Sequence, residues 1–129
     1  MAGTPRQSQF QHVHYLRVGF TYADNGKVIT AGTVPAGALI LKPVSGIHIV
    51  TAFNAGTTNI ADVGTTADDD LFGTDLALGT ANFVPLDEVI GGFRVAADID
   101  VTITPALSGT TATTGDAELV IAYIPDNDR

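Results

Sequence analysis

The longest regular pattern in the chain runs from Phe10 to Tyr22. Phe10, His12, His14, Leu16, Val18, Phe20 and Tyr22 alternate with Gln11, Val13, Tyr15, Arg17, Gly19 and Thr21. Successive side chains of a strand point to opposite faces, so this period of two predicts one long strand, with Gly19 as the place for a bend. Asp24-Asn25-Gly26 reads as a turn, after which Lys27 to Thr30 can return as a short strand. Val34-Pro35-Ala36-Gly37 makes a corner, Ala38 to Leu41 a strand, and Pro43 and Gly46 an interruption. In Ile47 to Phe53 the alternation resumes. Asn54-Ala55-Gly56 then supplies the residues of a tight reversal, so the pattern predicts a hairpin into a second strand from Thr57 to Val63.

The second half is less regular. Gly64 to Gly79 carries Asp68, Asp69, Asp70 and Asp75 among the apolar anchors Leu71, Phe72, Leu76 and Leu78, and reads as a long, partly packed loop with room for one helical turn. Asn82 to Leu86 and Val89 to Val95 read as short strands placed at edges or bulges by Pro85 and Gly91-Gly92. Ile99, Val101 and Ile103 alternate with Asp100, Thr102 and Thr104, as on a sheet with one wet face, and Pro105 is expected to stop that strand. After the loop SGTTATTG, Ala117 to Ile124 is apolar on both faces except at Glu118, which predicts a central strand.

Eight or nine short strands, punctuated by Gly, Pro, Asn and Asp and accompanied by no amphipathic helix, predict an all-β fold. An antiparallel β-sandwich or a closed barrel fits this pattern. The expected organisation is a flexible N-terminal arm over residues 1–9, one β domain over 10–125 and a polar tail over 126–129.

Composition supports strands and narrows function. The 129 residues include 17 Thr and 14 Gly but only two Lys and two Glu, a mixture that favours strands and turns over helices. The lack of Cys removes thiol nucleophiles and cysteine-bound zinc. A net charge of −8 opposes non-specific binding to nucleic acid or to an anionic membrane surface. No run approaches the roughly 20 apolar residues of a membrane span, and the N-terminus lacks the apolar core of a secretory signal. The expectation is a soluble protein made in the cytoplasm.

Candidate chemistry is sparse. Ser8, Ser45 and Ser108 sit in or beside an arm or a turn, outside the Gly-flanked elbow of a serine nucleophile. His12 and His14 share a strand face and, with His48, could form a three-imidazole metal site; the alternative is that all three are exposed sheet residues. Asp62, Asp68, Asp69, Asp70 and Asp75 could offer hard oxygen ligands to calcium, but their spacing departs from the DxDxDG loop. A solvated acidic loop, or one that docks on a basic patch of a partner, is favoured. No pair of carboxylates stands out for glycoside hydrolysis. A lectin-like sandwich is the competitor; it is disfavoured because there is no Trp and Tyr15, Tyr22 and Tyr123 fall inside expected strands. No catalytic, cofactor or metal residue is assigned, and the chain is expected not to be an enzyme.

The run VPAGALI, then IHIVTAFNAGTTNIADVGTTADDDLFGTDLALG, then a last strand rich in Val, Ile and Tyr resembles the small decoration or cement proteins of tailed-bacteriophage heads. Thr51, Ala52, Phe53, Gly56, Thr57, Thr58, Gly64 and the loop Asp68 to Asp70 carry the likeness. It implies a jelly-roll-like sandwich that forms a small homo-oligomer, a dimer or trimer. It also implies binding to the major capsid protein on the capsid exterior, after assembly in the host cytoplasm. Asp68, Asp69, Asp70, Arg6 and Phe10 are the expected partner contacts. The alternative is a carbohydrate- or receptor-binding module, including a tail or head-fibre component.

Overall fold

The computed structural model describes residues 12–88 and 93–126. Among these residues there are ten strands: β1 (His14–Thr21), β2 (Ile29–Val34), β3 (Leu39–Ile40), β4 (Gly46–Thr51), β5 (Thr58–Thr65), β6 (Gly73–Ala77), β7 (Phe83–Pro85), β8 (Phe93–Arg94), β9 (Ile99–Ser108) and β10 (Asp116–Ile124). Two 3-10 turns, Tyr22–Asp24 and Lys42–Val44, are the only helical pieces among the described residues.

The strands form two antiparallel sheets packed as a sandwich. One has the order β7-β4-β10-β3-β8 with β1 also on β10; the other is β2-β9-β5-β6. The pairings are nested: β5 with β6, β4 with β7, β3 with β8, β2 with β9 and β1 with β10. This is one long hairpin rolled up so that β4 also meets β10 and β5 also meets β9, which is jelly-roll connectivity with a short extra pair, β3 and β8.

The core lies between the sheets and follows the period-two pattern. Phe20 of β1, Ile47 and Ile49 of β4 and Ala117, Leu119 and Ile121 of β10 face Ala61 and Val63 of β5 and Val101 and Ile103 of β9. Each fully buried Ile, Leu or Phe contributes about 1.5–3 kcal/mol relative to exposure. As expected, β10 is central, β7 with its Pro85 lies at an edge, and Pro35-Ala36-Gly37 turns the chain.

Several expectations fail for identifiable reasons. β1 pairs with β10 without a break from His14 to Thr21, so Gly19 is no bend, and Tyr22 belongs to a 3-10 turn capped by Thr21 and Asp24. The segment after that turn crosses to the other sheet instead of returning beside β1. β4 and β5 form no hairpin. Both flanks of β4 are occupied by β7 and β10, and Phe53 plunges into the core with its N–H bonded to Leu78 O at 3.0 Å, carrying the chain across the sandwich. The Asn54 side chain accepts from the Thr113 and Thr114 N–H groups, tying this corner to the loop before β10.

The hairpin lies instead at Gly64 to Gly79, expected as a loop, where β5 turns into β6 without a helical turn. Buried Phe72 anchors it, and Asp75, at φ 52°, takes up a bulge with its N–H on Asp62 Oδ1 at 2.8 Å. Pro105 does not stop β9. Its carbonyl accepts from Gly26 N at 2.8 Å, so its missing N–H faces the side where β2 has already ended, and Asn25 caps the next position by bonding Leu107 N–H and C=O. The expected strand Val89 to Val95 is seen only at Phe93–Arg94. Residues 89–92, the arm over 1–9 and positions 127–129 of the tail lie outside the described residues.

Candidate interaction surfaces

The two outer faces of the sandwich differ in chemistry. On the four-stranded sheet, the residues of β5 and β9 that alternate with the core positions are mostly polar, apart from the pair Ile60 and Ala106. Asp62 stands beside Thr104, Gly64 beside Thr102, and Asp100 accepts from Thr33 Oγ1 at 2.7 Å. The acidic loop folds onto this face over Gly64, whose outward side is in contact with the main chain of Asp68 and Asp69. Thr65 N–H donates to Asp68 O at 2.8 Å, and Asp68 N–H donates to Thr65 Oγ1 at 3.1 Å. Beneath the loop Thr102 is fully buried and its hydroxyl has no hydrogen-bond partner.

The carboxylates of Asp68, Asp69 and Asp70 converge to within 4.8 Å of one another, the one such group of His, Asp or Glu side chains among the described residues. A hydrogen bond to Asp68, then burial, then the charges of Asp68, Asp69 and Asp62 push the Asp70 carboxyl above its usual range. The described Lys and Arg residues lie elsewhere: Arg17 on β1, Lys27 beside Asp24 at 3.7 Å, Lys42 in a 3-10 turn and Arg94 on β8. Among the described residues this face is therefore acidic, with no cation beside the carboxylates. The cluster offers hard oxygen ligands of the kind calcium takes, on an exposed loop.

The outer face of the six-stranded sheet carries a different set. Across β1, β10, β4 and β7 one row reads Gly19, Glu118, His48 and Phe83, and the next reads Arg17, Val120, Gly46 and Pro85. Arg17 grips Glu118 with two parallel hydrogen bonds, Nε to Oε1 and Nη2 to Oε2, the second at 3.1 Å. That grip holds the Glu118 carboxyl below its ordinary range against the opposing effect of burial, with smaller help from the charges of Arg17 and His48. Around the pair stand Tyr15 at 57%, Val50 at 58% and Phe83 at 43% exposure. A third feature is a crevice of about 280 Å³ at one end of the sandwich, lined by Tyr22, Asn25, Ala55, Leu107 and Thr110 among others.

Of the expected contacts, Asp68, Asp69 and Asp70 are brought together, while Arg6 and Phe10 lie outside the described residues. The three histidines are not assembled. His14 stacks on Tyr123 at 5.5 Å between ring centres, whereas His48 pairs in register with Glu118, further back along β10. Ser45 is a buried clamp: its hydroxyl donates to Leu41 O at 2.7 Å and accepts from Ala122 N–H at 2.9 Å. The sequence pattern puts every Tyr in a strand interior, yet Tyr15 and Tyr22 are exposed, so the ground for disfavouring a lectin-like role is weaker than the pattern suggests. Neither Arg17 nor Glu118 stands out in the sequence as a contact, because residues 101 apart acquire a relationship only through the pairing of β1 with β10.

No protein-family description matches the chain, and no curated protein does. Among solved structures, a chain of the "Cyanophage Pam1 capsid asymmetric unit" is similar in fold, with a TM-score of 0.67 over 97% of this chain and 93% of that one. The two are 19% identical, so the likeness is one of architecture.

Proposed function

We propose that this chain is a non-enzymatic virion structural protein that binds and stabilises the outer surface of a phage capsid as a homo-oligomer, with the major capsid protein as its partner. One observation carries the reading: nearly the whole jelly roll, and nearly the whole of the other chain, superpose on a component of a phage capsid. The acidic face adds support. A surface with Asp62, Asp68, Asp69, Asp70 and Asp100 and no described cation is suited to a basic patch on another protein and unsuited to a phosphate backbone. The reading includes residues 1–9 as an arm that engages a neighbouring subunit or the shell, with Arg6 in the arm and Phe10 just after it as contacts.

Co-sedimentation with capsid shells, decorated and undecorated, tests the proposal. Saturable binding to undecorated shells at micromolar protein is expected; no binding at that concentration overturns it. Deleting residues 2–9 is expected to weaken binding or reduce the oligomer.

The alternative, a carbohydrate-binding module, has one specific observation in its favour: exposed Tyr22 lines a crevice together with Asn25 and Thr110. A glycan array with wild type and Tyr22→Ala separates the two readings, since the capsid role expects no glycan signal.

A further inference from the structure

We propose that the outer face of the six-stranded sheet is where a second copy of this chain docks, about a two-fold axis, with Arg17 and Glu118 of each copy facing Glu118 and Arg17 of the other. The inference deepens the homo-oligomer part of the function proposed above by naming its surface and its symmetry.

Three observations converge on this face. First, exposed apolar side chains gather there: Tyr15, Val50 and Phe83 come from three different strands and surround one ion pair, whereas Tyr22, Val28 and Val44 are scattered over turns. Exposed apolar side chains gathered in one place mark an interaction site more often than ones scattered singly do. Second, the charge of the molecule is unevenly distributed. A chain of net charge −8 repels its own copies, but the acidic cluster sits on the opposite sheet, and the two formal charges at the centre of this face cancel. Asp116 lies at the margin, where β10 begins. Approach through this face therefore meets less repulsion than approach through the acidic one.

Third, the arrangement is complementary to itself. An isologous interface presents the same patch from both sides, so each group must meet its complement after a rotation of 180°. A cation and an anion side by side on adjacent strands satisfy that requirement: the rotation lays Arg17 of one copy toward Glu118 of the other, twice. Arg17 is 67% exposed in its side chain, and its guanidinium has donors beyond the two that Glu118 uses, so a second carboxylate can be accepted. A basic surface on the shell would meet an Arg here, and an acidic one a Glu. Neither matches a paired centre as a second copy does.

Sedimentation equilibrium of the full chain tests the proposal. Wild type is expected at twice its 13.3 kDa mass, dissociating on dilution. Tyr15→Glu is expected at the single mass with an unaltered circular dichroism spectrum. Arg17→Glu and Glu118→Arg each place like charges across the two-fold axis and are expected to be monomers. Mixing the two variants sets an all-acidic centre against an all-basic one and restores a mixed dimer, because each copy then offers the charge its partner lacks.

Independently of any variant, dilution of wild type is expected to shift the side-chain NMR resonances of Tyr15, Val50 and Phe83 and leave Asp68 to Asp70 unmoved. A monomeric or trimeric wild type, failure of the two folded charge variants to associate on mixing, or dilution shifts at the acidic loop instead would each overturn the inference. A monomer that co-sediments with shells, losing that binding in Tyr15→Glu, assigns the face to the shell and overturns the inference alone; a two-fold dimer that ignores shells overturns the capsid reading alone.

Discussion

The main chain of Asp69 rests on Gly64: a Cβ built on Gly64 would stand 2.5 Å from the Asp69 carbonyl carbon, inside any normal contact. The obstacle is backbone, which cannot swing aside as a long side chain can. Gly64→Ala is therefore expected to lift the acidic loop and destabilise the fold by about 1–3 kcal/mol through overpacking. Urea denaturation checks the energy, and faster amide exchange at Thr65 and Leu71 checks the location. An unchanged midpoint would mean that the loop does not rest on this face.

Loss of the Ser45 hydroxyl leaves the buried Ala122 N–H without the acceptor it has at 2.9 Å. Ser45→Ala is expected to cost about 1–3 kcal/mol, the penalty of an unpaired buried donor. A change below a few tenths of a kcal/mol in stability, read from the denaturation midpoint, contradicts this account.

Thr102 presents the reverse situation, a buried hydroxyl that bonds to nothing. Thr102→Val removes the unpaired group while keeping the branched shape and is expected to raise stability by about 1 kcal/mol. Thermal melts of the two proteins check the sign.

The pH dependence follows from Asp70. Its carboxyl titrates above the usual range in the fold because a hydrogen bond to Asp68, burial and neighbouring charges favour the protonated form. The folded chain thus holds this proton more tightly than the unfolded chain. The cost to stability is absent below the ordinary Asp range, grows as pH rises through the raised value and is complete at neutral pH. Asp70→Asn is expected to melt higher than wild type at pH 7, with the difference vanishing at acid pH. Glu118 runs the other way: its lowered value makes the Arg17 pair stabilising at neutral pH and lost as pH falls through that value. Added salt should screen the cluster and narrow the pH 7 difference.

Local pattern was legible in the sequence where one strand with one buried face was concerned. Leu16, Val18 and Phe20 do point inward, and the apolar run around Glu118 does lie at the centre of a sheet. Partnership was not legible. Asn54-Ala55-Gly56 has the composition of a hairpin turn, but what decides its path is that β4 already has neighbours on both sides. Pro105 reads as a strand terminator until its position shows that no partner needs its N–H. Of the candidate contacts, Asp68 to Asp70 were visible because they are adjacent in sequence. The Arg17 and Glu118 face was not, because it is assembled from strands at opposite ends of the chain.

The nested pairing sets an order for assembly in time. The pair β5 and β6 closes a short loop, and each pair further out must close a longer one, up to β1 on β10, where Arg17 and Glu118 are separated by 101 positions. Closure entropy grows with the span, so the outermost pair is expected to form last. The face made by β1, β10, β4 and β7 is then absent from any chain that has not finished folding. On the two-fold docking proposed above, an incompletely folded copy lacks the surface with which a second copy would pair, so completion of the fold is a condition of pairing.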